Sequence, residues 1–303
     1  EGEEGTYPDP ARLSELATEV REAVPGPIER VLIDTSRYAG PTIAPGWARS
    51  DIAAGYVAPI VPLMLDGGRA DPSLQDGPRL SDPATAAGQA LADLLDADEV
   101  DEGTAPADAA QVGAVSSAPF TELVEHTMRT SDNVLAEMLA REVAIVRGGP
   151  PTFEGAAREI LAALTQAGFD PSGAVLVDGS GLSTEDAVPA RVLGTLLAAA
   201  ATPAEGDRGT NFLRPLITGL PVAGGDGTLD DRFAPDDVSA AGRGTVRAKT
   251  GTLTNVSSLA GLVTDADGRL LVFAFMSNGV SPAIARPRLD AMAAELSGCG
   301  CTS

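Results

Sequence analysis

The sequence predicts an α+β fold: an antiparallel sheet flanked by helices, with a mixed α/β module ahead of it. Two apolar runs, 257–264 and 269–276, are joined by Asp265-Ala266-Asp267-Gly268, a hairpin signature. A more polar strand through Lys249 precedes them and makes a meander of three. Helical periodicity brackets that meander. Phe120, Leu123, Val124 and Met128 share a face before it, and an Ala-rich segment at 282–297 closes the chain after it.

Taken in order, the first helix spans 10–24, where Leu13, Leu16, Val20 and Val24 recur at helical spacing until Pro25-Gly26-Pro27 stops them. A short strand at 30–33 leads into an irregular stretch with single aromatics, Tyr38, Trp47 and Tyr56. Residues 57–65 read as a strand pair or one bent strand, followed by a turn at Asp66-Gly67-Gly68. Asp82 as N-cap and Pro83 at the first helical position open a helix to 95. Residues 96–110 are acidic and poor in bulky apolar side chains, which predicts a solvated loop or linker. This first third, 1–115, reads as an accessory module without a catalytic constellation; 116–303 reads as a second domain.

In that second domain the helix from Phe120 and another reaching Val146 flank Thr130-Ser131-Asp132-Asn133. A third helix covers 152–168. A strand at 174–177 feeds the tight turn Asp178-Gly179-Ser180-Gly181-Leu182-Ser183, and helices at 191–201 and 211–220 precede the loop Gly224-Gly225-Asp226-Gly227. The second and third meander strands are nearly continuous in apolar residues, so both of their faces are expected to be covered. Gly251 marks a place where another backbone or a ligand approaches closely.

Composition excludes several classes. A formal charge of −22 opposes nucleic-acid binding and suits a well-solvated protein. No apolar run reaches the roughly 18 residues of a membrane span. Glu1-Gly2-Glu3-Glu4 is the reverse of a basic leader, although a mature secreted protein would open the same way. With His126 the single histidine, no zinc site is expected, and no cofactor is implied. Cys299 and Cys301 are too close for ordinary disulfide geometry; they read as a flexible tail, or as one partner for a cysteine outside this chain.

Lys249 is the only lysine, every other basic residue of the 21 being arginine. Unlike arginine, lysine places a compact charge and can shift its pKa far enough to exchange protons. Its alternative reading is an ordinary surface residue. Ser131 has two readings as well. Thr130, Ser131 or Asp132 can cap the second helix, or Ser131 and Asn133 can project into a cleft.

Ser-Asp-Asn between two helices and Lys-Thr-Gly on an antiparallel strand are two of the three signatures of penicillin-recognising serine enzymes. The chain resembles the D-alanyl-D-alanine carboxypeptidase/endopeptidase family, low-molecular-mass penicillin-binding proteins with inserted domains. The resemblance is carried by VLIDTSRYAGPTIAPGW (31–47), SAPFTELVEHTMRTSDNVLAEMLARE (117–142), VDGSGLS (177–183), LPVAGGDGTLDDRF (220–233) and RAKTGTLTNVSSLAGLVTDADGRLLVFAFMSNG (247–279). It implies a beta-lactamase/transpeptidase-like catalytic domain, and a serine acyl-transfer enzyme of the cell envelope acting on peptidoglycan peptides and acylated by beta-lactam antibiotics. It further implies Ser131, Asn133 and Lys249 in catalysis. Thr250, Gly251 and Thr252 would bind substrate, the two hydroxyls taking the terminal carboxylate and the Thr252 N–H serving the oxyanion.

One departure stands out. The family's nucleophile lies in Ser-x-x-Lys, and here the only lysine follows Val246 by three positions. The nucleophile and its base are therefore expected in an upstream segment or a second chain. Residues 1–30 look like family sequence that follows that segment. The competing reading is a non-catalytic wall-peptide binder that kept the carboxylate site.

Overall fold

The computed structural model describes residues 6–202 and 210–300. Glu1-Gly2-Glu3-Glu4 and Cys301 fall outside them. In chain order the elements are α1 (Leu13–Ala23), β1 (Arg30–Ile33), α2 (Arg49–Ala53), α3 (Pro83–Leu95), β2 (Glu99–Glu102), α4 (Phe120–Thr130), α5 (Asn133–Val146), α6 (Phe153–Gln166), α7 (Ala190–Ala201), α8 (Arg214–Thr218), β3 (Arg247–Leu253), β4 (Val256–Thr264), β5 (Leu270–Asn278) and α9 (Pro282–Ser297). No described helix is long and apolar enough to cross a membrane. The fold divides into two compact units interleaved in sequence: 1–123, 133–160 and 177–183 form one, and 124–132, 161–176 and 184–303 the other.

In the first unit α3 begins as its sequence dictates, with Asp82 accepting from the Thr85 N–H at 3.0 Å and Pro83 opening the helix. Its small residues let it lie close on β1: a Cβ at Gly88 would sit 2.6 Å from Ile33 Cδ1. The stretch expected as a solvated loop contains β2, which pairs in parallel with β1 from Arg30↔Glu99 to Ile33↔Glu102. Its sequence, Glu-Val-Asp-Glu, lacks apolar alternation because only Val100 turns toward α3, where it would crowd a side chain at Gly88. The strand expected over 57–65 is absent. Val57, Ala58 and Ile60 are buried there as irregular chain, since Pro59 and Pro62 bring no N–H to a ladder.

Also in this unit, Ala140 and Ala144 of α5 pack on Ala156 and Ile160 of α6. Glu137 of α5, fully buried, accepts from the N–H groups of Gly179 (3.0 Å) and Ser180 (2.8 Å). Asp178 accepts from Trp47 Nε1 at 2.8 Å and from the N–H groups of Gly181 and Ser183 at 2.7 Å each. The turn 178–183 is thus held by two buried carboxyls. Burial, aided by the neighbouring Asp178, pushes Glu137 up to about 7.

The second unit is built on the expected meander, with strand order β3-β4-β5, both pairs antiparallel. β4 is covered on both faces. Leu259 and Val263 join Phe233, Val246, Phe273 and Leu289 in one layer, while Ala260 and Leu262 meet Leu197, Leu220 and Met128 in the other. β5 is less covered than its apolar run suggests, because it is an edge strand: Leu270 is 52% and Met276 39% exposed. The strand expected at 174–177 reduces to one bridge, Val175↔Ala187.

Candidate active site

The pleat of β3 sorts its side chains. Ala248 belongs to the layer with Leu259 and Val263, whereas Lys249 stands opposite Ala260, whose layer includes Met128 of α4. Lys249 therefore leaves the strand toward the C-terminal end of α4, where Ser131 lies. Lys249 Nζ donates to Ser131 Oγ at 2.6 Å and to the Thr250 carbonyl at 2.9 Å. Two motif residues separated by 118 positions in sequence thus meet within one unit.

Ser131 reaches that position through unusual backbone. Its N–H still bonds the Thr127 carbonyl at 2.9 Å, continuing α4, but its φ is +59°. A left-handed residue that closes a helix is normally glycine or asparagine, and a side chain there costs about 1–2 kcal/mol. Ser131 therefore ends α4 rather than beginning α5, which starts two residues later at Asn133. Strain of this kind is a reason to look for a task that needs the hydroxyl.

The Lys249 ammonium has two neutral oxygens and, among the described residues, no carboxylate. Burial alone pushes it down to about 8. The residue as a whole is partly accessible while its charged end is enclosed. Such a cation offers a strong attraction to an incoming anion.

The edge of β3 away from β4 is closed at its start and available further on. The Ala248 N–H bonds the Pro221 carbonyl at 3.0 Å, and the Ala223 N–H the Val246 carbonyl at 2.9 Å. Backbone groups alternate direction along a strand, so the N–H groups of Thr250 and Thr252 face that same edge. This is the orientation an oxyanion or carboxylate donor requires. At Gly251 a Cβ would meet Ser258 Oγ across the ladder, so a side chain there requires that hydroxyl to turn away.

Thr250 Oγ1 and Thr228 Oγ1 lie 2.8 Å apart. Thr228 was not singled out by sequence reasoning, although it sits inside the resembling segment 220–233; only the pleat of β3 reveals it. Thr252 is exposed on the same face of the strand as Thr250. Asn133 belongs to the first unit, where its Nδ2 donates to the Tyr56 carbonyl at 3.0 Å. His126 is partly buried, and its carbonyl accepts from Thr130 Oγ1 at 2.9 Å. The surface hollows beside α9 hold none of the motif residues.

The sequence pattern of the D-Ala-D-Ala carboxypeptidase 3 (S13) family matches residues 8–90 and 74–297. Carboxypeptidase DacB of Mycolicibacterium smegmatis is 44% identical over 303 residues, covering 99% of this chain and 64% of its own length. Carboxypeptidase Rv3627c of Mycobacterium tuberculosis is 41% identical over 304 residues, again with 64% of its length covered. This chain thus spans 64% of each of these two relatives. Among solved structures, penicillin binding protein 4 (dacB) of Haemophilus influenzae shares the fold with a TM-score of 0.76 at 21% identity, over 95% of this chain and 79% of that one.

Proposed function

The chain belongs to the D-Ala-D-Ala carboxypeptidase 3 (S13) family, and from that premise we propose that it is the greater part of a serine peptidase that cleaves D-Ala-D-Ala ends, or cross-links, of peptidoglycan stem peptides through an acyl-enzyme. The reading rests on one observation above all, the 2.6 Å contact between Lys249 Nζ and Ser131 Oγ. In it, residues 1–115 are an inserted module and 116–303 a beta-lactamase/transpeptidase-like domain whose nucleophile arrives on an upstream Ser-x-x-Lys segment. The work is assigned to the extracytoplasmic cell envelope, where the substrate is found.

The chemistry divides among the residues as follows. The upstream serine attacks the penultimate D-Ala carbonyl while its lysine takes the proton. The Thr252 N–H is one donor to the oxyanion that forms. As the tetrahedral intermediate collapses, the leaving amine needs a proton. A Ser131 oxygen that accepts from Lys249 keeps its own O–H directed elsewhere and can relay to the amine the proton that the upstream lysine took, receiving one as it gives its own. Lys249, a cation without a counter-ion among the described residues, attracts the terminal carboxylate, with the Thr250 and Thr252 hydroxyls receiving it. Asn133 holds the peptide amide. Water then hydrolyses the acyl-enzyme. A non-catalytic wall-peptide binder finds no support in the family match.

Fluorescent penicillin tests the reading. The full-length gene product becomes labelled on a serine of its Ser-x-x-Lys, and the 303-residue chain alone stays unlabelled. Peptide mapping that places the drug on any serine from Ser14 to Ser303 overturns it.

A further inference from the structure

We propose that Thr228 is a positioning residue for the carboxylate subsite, acting through Thr250; this deepens the reading above and rests on it. A threonine hydroxyl has one proton and rotates freely unless a neighbour fixes it. To receive a carboxylate, Thr250 must donate that proton outward, and its oxygen must then accept from another donor. Thr228 Oγ1, which accepts from Thr250 Oγ1 at 2.8 Å, is placed to become that donor once both hydroxyls turn.

The loop bearing Thr228 is itself pinned. The Val222 N–H donates to Asp226 Oδ1 at 2.7 Å, and Arg129 lies 3.7 Å from Asp226 Oδ2. Gly227, with φ +57°, lies so close beneath the Arg129 carbonyl that a Cβ would collide with it. Leu229, fully buried, anchors the other side of Thr228 in the layer beneath Ala248. The end of α4 that carries Ser131 therefore also sets the height of Thr228 over β3. The two faces of one strand are thereby tuned from one place, with Lys249 set by Ser131 on one face and Thr250 set by Thr228 on the other.

The test uses the full-length protein, an acyl-D-Ala-D-Ala peptide, and the same peptide with its terminal carboxylate amidated. Thr228→Val keeps shape and removes the donor. It is expected to lose about tenfold in kcat/KM on the acid, mostly through KM, as for one charge-assisted hydrogen bond. It is expected to be unchanged on the amide, and Thr228→Ser restores the parent value. In a Thr250→Val background the Thr228→Val change costs nothing further. Equal losses on acid and amide, or no loss on either, overturn the proposal. If Thr228→Val does not fold, Thr228→Ala in the same comparison decides. A parent enzyme indifferent to amidation sinks the carboxylate subsite itself, a separate outcome from a Thr228 that does nothing.

Discussion

Two buried cations of the second unit are treated in opposite ways. Arg232 faces Asp290, with Nε to Oδ2 at 3.0 Å and Nη2 on Oδ1 completing a fork, and both side chains are nearly sealed from water. Among the described residues, Lys249 is enclosed with only a hydroxyl and a carbonyl. Arg141 of the first unit shows a third solution, bonding the Ala39, Pro41 and Pro151 carbonyls and stacking on Phe153 at 4.1 Å. Both arginines are held as structure, Arg232 by its carboxylate and Arg141 by three carbonyls and a ring, although the Arg141 Nε is buried without a partner. The single lysine is left short of a partner, at a helix end where a serine is held in a strained conformation. A fold gains nothing by this arrangement, whereas a site that must accept an anion does.

The sharpest way to break the comparison is to remove both charges in turn. Lys249→Met in the full-length enzyme is expected to lower kcat/KM on D-Ala-D-Ala peptide by about 10²–10⁴, the usual scale for a group active in proton transfer and charge stabilisation. Its melting temperature at pH 7 should rise, because the ammonium no longer has to be desolvated. Asp290→Asn should do the reverse, leaving turnover of the surviving folded protein near the parent value. It should cost about 3–5 kcal/mol in urea unfolding, as when a buried pair loses one member. If Lys249→Met destabilises as much as Asp290→Asn does, the lysine is structural and the contrast fails.

The pH dependence sharpens the same point. Lys249 titrates near 8 folded against 10.5 free, so the unfolded chain binds more protons between those values. The parent should therefore gain stability relative to Lys249→Met as pH rises from 8 to 10.5, by on the order of 3 kcal/mol at most. Glu137 has the opposite sign. Raised from 4.5 to about 7, it should make the parent lose stability relative to Glu137→Gln as pH climbs through that window. Difference melting curves for the two variants against the parent check both slopes. In turnover, kcat/KM should fall above pH 8 as Lys249 loses its charge, and Lys249→Arg should push that limb upward.

How legible all this was depended on which physics set each feature. The helix from Pro83, the closing helix and the meander were plain, because a cap, a proline or a D-G turn is written locally. Lys249 and Ser131 were legible as motif residues, but their 2.6 Å contact was not, since it depends on which face of β3 looks toward α4. Thr228 was hidden for the same reason, its hydroxyl being one among many until the pleat aims Thr250 at it. β2 was lost because a short strand exposed on most of its surface has no apolar alternation to display. The buried residues Val57, Ala58 and Ile60, interspersed with prolines, gave a false strand, because burial without a donor at every residue still reads as an apolar run.

The smallest effect expected separates two roles for Ser131. As a helix N-cap, its change to glycine would cost a few tenths of a kcal/mol and its change to alanine about 1 kcal/mol, both below the parent. At φ +59° the balance differs. Glycine enters the left-handed region without a Cβ penalty, whereas alanine keeps the strain and loses the hydroxyl. Glycine also gives up some unfolded-state freedom, so the net gain is small. Ser131→Gly should melt at or just above the parent, and about 1 kcal/mol above Ser131→Ala. Both variants should lose acylation to a similar, large extent, because both lack the oxygen that Lys249 holds. A Ser131→Gly protein that melts clearly below the parent would return the residue to a capping role. One that keeps its acylation rate would remove it from the chemistry.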